Sequence, residues 1–248
     1  MKYQDVILEV DPHIHTVISG HSWSTLNDYA EQAIRTGMKG FCLTEHGYRT
    51  PNGPPEFIPQ AELQIPLTYK GIRIFKGLEA DILDYEGALD VRERYLKFLE
   101  FCIASIHFFC LKDGTKEQNT EAYRSVLRNP YVDMIGHPDD PEAPCDLEAL
   151  VLETKNQNKI IELNNRSLSP NRIDRADNAQ AMIRLCKRHG VRICISSDAH
   201  WHEMMGDYKE SLEFLEEIDF PPELILNLTL ERFQGYVEER KARIRPQP

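Results

Sequence analysis

The chain has 248 residues, is 41% apolar, and carries a formal charge of −11 from 29 basic and 40 acidic residues. That length and apolar content suit one large α/β domain with a sizeable core. The acidic balance argues against an extended nucleic-acid-tracking face or an anionic membrane surface, while leaving room for a local positive pocket.

The pattern predicts a first strand over Val6–Val10, closed by Asp11-Pro12-His13-Ile14-His15 and followed by His21. Side chains at i and i+2 of an extended backbone share a face, so Asp11, His13 and His15 are expected to point one way. Ser24-Thr25 offers an N-cap for a helix over Leu26–Thr36 that Gly37 stops. A second strand over Gly40–Thr44 ends at Glu45-His46, and the Gly/Pro-rich stretch 47–60 reads as a functional loop or lid. The third strand, Ile72–Leu78, ends at Glu79, and a helix is expected over Val91–Leu99.

A fourth strand over Phe101–Ile106 is closed by His107, and a helix over Glu117–Arg128 stops at Asn129-Pro130. The fifth strand, Val132–Gly136, is closed by His137-Pro138 and followed by a helix over Leu147–Asn156. The sixth, Lys159–Leu163, leads into Asn164-Asn165, and a helix over Asn178–His189 ends at Gly190. The seventh, Val191–Ser196, runs into Ser197-Asp198-Ala199-His200. A helix over Tyr208–Ile218 follows, then a last one capped by Thr229 with Leu230, Phe233 and Val237 on its buried stripe. Residues 241–248 read as a frayed tail behind a single domain spanning 1–240.

Cys42, Cys102 and Cys194 sit inside apolar runs and no Cys-x-x-Cys occurs, which points to buried reduced thiols. No apolar run reaches 18 residues and no signal-peptide pattern opens the chain, so the sequence reads as soluble and cytoplasmic. Strands alternating with helices indicate a mainly parallel sheet, whose strand C-termini open on one face in a barrel. Every predicted strand ends in a potential ligand or hydrogen-bonding group, and seven of the nine histidines stand at or just after those ends. Any one of them could be a satisfied loop residue; seven aligned this way converge on one cup. Paired imidazoles on a rigid strand end can share a divalent cation.

The motifs Asp11-x-His13-x-His15-Thr16, His21, Thr44-Glu45-His46-Gly47, Glu79, Ser105-Ile106-His107, Gly136-His137-Pro138, Glu162-Leu163-Asn164 and Ser197-Asp198-x-His200 together resemble the PHP (polymerase and histidinol phosphatase) family, in particular its stand-alone bacterial phosphatase-like members. The resemblance spans residues 11 to 200 and implies a distorted (β/α)7 TIM-like barrel, in keeping with the seven strands counted above. It also implies a site for three divalent ions, zinc first and manganese or iron as alternatives. One would be held by His13, His15, Glu79 and Asp198, the second by His107, His137 and the other oxygen of Glu79, the third by His21, His46 and His200. Asp198, Glu79 and His200 are expected to do the catalytic work. Asp11, Glu45, Asn164, Arg166 and Arg172 are candidates to orient ligands or bind substrate. Pro12 replaces the usual aliphatic residue, and Glu45 stands where an aspartate is usual.

Three such ions less two ligand carboxylates leave roughly +4 in an acidic protein, a pit that would attract a compact anion such as a phosphate monoester. A hydroxide shared between the bridged ions would attack phosphorus. The expected function is therefore a metal-dependent phosphoesterase acting on a small phosphorylated metabolite. The arginine candidates, with Tyr48 and Arg49, could equally be solvated loop residues, and Trp201 reads as a packing residue. The alternatives are an amidohydrolase-like enzyme cleaving C–N or C–O bonds, and a non-catalytic accessory PHP module.

Overall fold

The computed structural model of the protein describes residue 3 and residues 6–169 and 173–244. Seven parallel strands follow one another around a nearly closed barrel: β1 (Val10–Ile14), β2 (Gly40–Leu43), β4 (Ile72–Asp81), β5 (Phe101–Ser105), β6 (Met134–Ile135), β7 (Ile160–Asn164) and β8 (Ile193–Ser196). Each pairs in parallel with the next. A short β3 (Thr68–Tyr69) lies antiparallel on β4, across a turn in which Lys70 and Gly71 both take positive φ. Two such residues are what a right-twisted two-residue hairpin requires.

The seam between β8 and β1 carries a single bridge, Ile14 to Ala199. Below it the buried amide of Asn227 does the work of a strand. It donates to Val10 O (2.8 Å) and Ile195 O (2.7 Å) and accepts from the Ile195 N–H (3.0 Å). One residue thus satisfies backbone groups that a ladder would otherwise pair.

Helices cover the outside: α1 (Leu26–Thr36), α2 (Ile58–Ala61), α3 (Glu93–Leu96), α4 (Lys116–Leu127), α5 (Leu147–Asn156), α6 (Ile173–His189), α7 (Lys209–Glu217) and α8 (Leu230–Ile244). Reciprocal capping boxes, Thr25 with Asp28 and Thr115 with Gln118, start α1 and α4. Two apolar layers result. One faces out from the strands towards the helices. The other fills the barrel with Val10, Cys42, Phe75, Ile103, Met134, Ile160 and Cys194, sealed below by Phe233, Tyr236 and Val237 of α8.

Several expectations change. The first strand runs Val10–Ile14 rather than Val6–Val10, so the histidine motif lies within it and not after it. The register with β2 shifts between Asp11 and Ile14, and the side-chain alternation flips: Val10 faces into the barrel, Ile14 out to the helices. Residues 91–99 hold only the four-residue α3, because Val91, Leu96 and Leu99 bury at mixed periods. The loop 47–60 contains the start of α2. The tail expected from 241 is helical to Ile244, since Arg243 donates to Pro130 O (2.9 Å) and binds Asp133. Cys42, Cys102 and Cys194 are buried and free, as expected, and the other three cysteines are free as well. Among the described residues no helix is long and apolar enough to cross a membrane.

Candidate metal centre

At the C-terminal ends of the strands the side chains of His13, His15, His21, His46, Glu79, His107, His137, Asp198 and His200 meet in one cup. Glu79 stands at its centre, 1% exposed. Its Oε2 lies 3.4 Å from His13 Nε2, 3.5 Å from His15 Nε2 and 2.8 Å from His46 Nδ1. Its Oε1 lies 3.0 Å from His137 Nε2 and 3.5 Å from His107 Nε2, and accepts a hydrogen bond from Ser105 Oγ (2.7 Å). Asp198 Oδ1 approaches His15 Nε2 at 3.3 Å and His13 Nε2 at 3.7 Å. A third group forms where His21 Nε2 meets His46 Nε2 (3.2 Å) and His200 Nε2 (3.0 Å).

The far side of each ring decides what the near side offers. His13 Nδ1 donates to Glu162 Oε1 (2.6 Å), and His107 Nδ1 to Asp81 Oδ1 (2.5 Å). Ser19 gives its own proton to Glu45 Oε2 (2.6 Å), so its oxygen accepts from His15 Nδ1 (3.1 Å) and from the His46 N–H (3.1 Å). His200 Nδ1 donates to Asp198 O (3.1 Å). With the Nδ1 protons so placed, the Nε2 atoms turn lone pairs into the cup. His13 Nε2 and His15 Nε2 then face each other at 3.0 Å. Two buried lone pairs at that distance call for a cation between them. Tetrahedral zinc with bonds of about 2.0–2.1 Å sets its ligand atoms about 3.3 Å apart, close to the spacings found here. The orphaned, buried Glu79 Oε2 fits the same requirement. Three groups of these side chains can hold a metal ion: His13, His15 and Glu79; His46, Glu79 and His107; and His15, His46 and His200.

Electrostatics hold the two carboxylates ionised and divide the imidazoles: against burial, Glu162 and Glu79 raise His13 well above its ordinary value, and Glu79 raises His46. Burial would raise the Glu79 carboxyl, but His13, His107 and His46 hold it well below the usual range. Asp198 is held down in the same way, against burial, by His13, His15 and His200. Burial, with His46 and His200 beside it, drives His15 well below an ordinary imidazole. His137 goes the other way, to about 9, because Glu79 outweighs its burial. Asp198 and His137 also both sit at positive φ (48° and 27°), a strained backbone that clusters at functional sites.

The helper residues divide. Asn164 donates from Nδ2 to Asp198 Oδ2 (3.1 Å), and Arg166, one-third exposed, reaches Asp198 Oδ2 at 3.7 Å. Arg172 lies outside the described residues. Asp11 does not orient an imidazole: it faces away from the cup, accepting from Ser197 Oγ, Tyr208 Oη (2.7 Å) and the His13 N–H (3.1 Å). The shift in register turns it away from His13 and His15. Glu45 also faces away, bound by the Thr16 N–H and Oγ1 and by Ser19, so it acts through Ser19 on the cup. Trp201, expected to pack, is half exposed. Arg49 and Tyr48 pair with each other (3.3 Å) in the solvent-facing loop.

The orienting residues Glu162, Asp81, Ser19, Ser105 and Ser196 were not legible as such. Glu162 is the most consequential, receiving His13 Nδ1 and Ser196 Oγ on one oxygen and the His137 N–H on the other.

A family model described as the PHP domain matches residues 11–172. The chain is 42% identical over 237 residues to a probable phosphatase of Acetivibrio thermocellus, covering 95% of this chain and 98% of that protein. A probable phosphatase of Caldicellulosiruptor bescii is 38% identical, covering 94% and 97%. In fold the chain resembles histidinol phosphate phosphatase of Lactococcus lactis, solved with zinc, L-histidinol and phosphate, with a TM-score of 0.58 at 18% identity over 86% of this chain and 95% of that one.

Proposed function

The chain belongs to the PHP family, and on that premise we propose that it is a metal-dependent phosphoesterase with three ion sites, acting on a small phosphorylated substrate. The observation that carries this is Glu79: one carboxylate divides two imidazole groups, His13, His15 and His46 on one oxygen, His107 and His137 on the other. That is the arrangement of a bridging ligand. His13, His15, Glu79 and Asp198 would hold one ion, Glu79, His107 and His137 a second, and His21, His46 and His200 a third. Zinc suits the nitrogen-rich donors, with manganese or iron the alternatives. Bound divalent ions at such a site lower the pKa of water and neutralise charge on a phosphoryl group.

The chain's own residues do the rest. Glu162, Asp81 and Ser19 fix the tautomers of His13, His107 and His15, which keeps their Nε2 atoms free to bind. Asn164 holds Asp198 at the cup wall. Arg166 stands at the rim with a partly exposed guanidinium, a planar multi-donor suited to phosphoryl oxygens. Relatives named as probable phosphatases support ester hydrolysis over cleavage of C–N bonds. Glu79 fills the bridging position, where amidohydrolases commonly use a modified lysine. The test is phosphate release from p-nitrophenyl phosphate. Activity is expected to vanish with chelator and return with zinc or manganese; turnover unaffected by chelator and by His13→Ala with His107→Ala would refute the reading.

A further inference from the structure

Beside the cup, on the side of His107, a cavity of about 350 Å³ opens between Arg49, Leu83, Phe109 and Cys110. It begins one ring behind a proposed ligand, because Phe109 stacks on His107 with centroids 5.1 Å apart and 14° between planes. Among the described residues Arg49 carries the only charge in the wall. The chain has 40 acidic residues against 29 basic ones, yet among the described residues no carboxylate pairs with this guanidinium. It donates to Tyr48 Oη (3.3 Å) instead. The backbone beneath it is fixed. The Arg49 N–H donates to Asp90 Oδ2 (3.0 Å), and the Thr50 hydroxyl donates to Asp81 Oδ2 (2.9 Å). Asp90, 1% exposed, accepts the Asp81 N–H on its other oxygen (3.0 Å), and Asp81 accepts from His107 Nδ1 (2.5 Å). Gly47 makes room for this, since a β-carbon there would strike both Asp90 oxygens. Two buried acids thus tie the loop to His107, and neither is left to neutralise Arg49.

We propose that this cavity receives the leaving group, an inference that rests on the phosphoesterase reading. Arg49 selects monoesters whose alcohol carries a second acid, a carboxylate or a phosphate, on a short apolar body. Charge decides the acid. A guanidinium is a planar fork that meets either group with two charge-assisted hydrogen bonds, and an ammonium in the same place would be repelled. Size and lining decide the body. The volume lies at the small end of ligand pockets, and Phe109 and Leu83 offer apolar walls to one ring or a short chain. A loop held in place beforehand lowers the ordering cost of binding.

The probes are 4-carboxybenzylphosphonate, its neutral methyl ester and p-xylylene bisphosphonate, none of which can be hydrolysed as a phosphate ester. Each is titrated calorimetrically into zinc-loaded protein. The wild-type protein should bind at least one of the two acids about fivefold more tightly than the ester, and the tighter acid identifies the group that Arg49 reads. Arg49→Met should close that gap. Arg184→Met, which removes an exposed charge from α6, should leave it open. No saturable binding of either acid, equal affinity for acids and ester, a gap that survives Arg49→Met, or one that Arg184→Met closes as well would overturn the proposal. Binding is read without turnover, so the two readings fail separately. A gap in a protein that releases no phosphate from p-nitrophenyl phosphate would refute the phosphoesterase reading and uphold Arg49 as the acid-binding residue.

Discussion

The two ends of the barrel both bury charge, and they do so in opposite ways. At the lower end Arg240 is fully buried and each of its three guanidinium nitrogens has a partner. It binds Asp133 (2.7 Å) and the carbonyls of Leu99 (2.5 Å), Leu96 (3.3 Å) and Tyr131 (3.1 Å). Asp133 in turn accepts from the Cys102 N–H (2.9 Å), Tyr236 Oη (3.2 Å) and Arg243. Donors and acceptors balance there without help. At the upper end Glu79 Oε2 has no hydrogen-bond partner, and the His13 and His15 nitrogens face one another. The lower network is closed and structural; the upper is complete only with cations added. Buried charge alone does not mark a functional site, but buried charge whose bonds do not balance does.

Four experiments break or sharpen that contrast, beginning with the greatest effect. Replacing His13 and His107 together by alanine removes a nitrogen from each side of Glu79. Phosphatase activity should fall by about 10³-fold or more, read by steady-state kinetics, while urea midpoints change little. Arg240→Ala should do the reverse. It takes from the buried Asp133 one of its two guanidinium partners and leaves the carbonyls of Leu96, Leu99 and Tyr131 without that donor, and should cost about 3 kcal/mol in urea unfolding, with metal content per folded molecule unchanged.

Glu162→Gln tests the link between a ligand and its support. It should weaken metal binding or activity by about 10–100-fold, measured by competition with a chromophoric chelator. The smallest effect concerns Lys159 at the lower end, whose Nζ donates to Asn129 O (3.2 Å) and Val132 O. Burial lowers its pKa to about 8, so between there and the unfolded value of 10.5 the unfolded chain holds the extra proton. Stability should therefore rise with pH across that window. Relative to Lys159→Met, the wild-type protein should gain about 1–2 kcal/mol between pH 7.5 and 10 in urea titrations. A gap that stays constant with pH would contradict this.

The histidine cup was legible because each ligand stands where an apolar run stops, and a parallel barrel gathers such stops on one face. Two supports, and the true facing of Asp11, were hidden for separate reasons. Glu162 lies inside the apolar run of β7 and finds His13 only through barrel closure. Asp81 lies beyond the expected end of its strand at Leu78; the strand continues to Asp81, and Glu79 and Asp81 two apart are the available sign. Asp11 was placed on the wrong face by a regular alternation that the register shift interrupts. Pro12 was the clue, since proline in an interior strand belongs at such irregularities. The helical turn at 241–244 depended on Asp133, 110 residues away from Arg243, which no local pattern reveals.

The central claim, that the upper network is balanced by divalent cations, is tested most directly by elemental analysis of the purified protein after dialysis against metal-free buffer. The account predicts three tightly held divalent ions per chain, falling when Glu79 is replaced by glutamine and unchanged when Arg240 is replaced by alanine. A wild-type protein that retains no divalent metal, and takes none up when zinc or manganese is supplied, would contradict it.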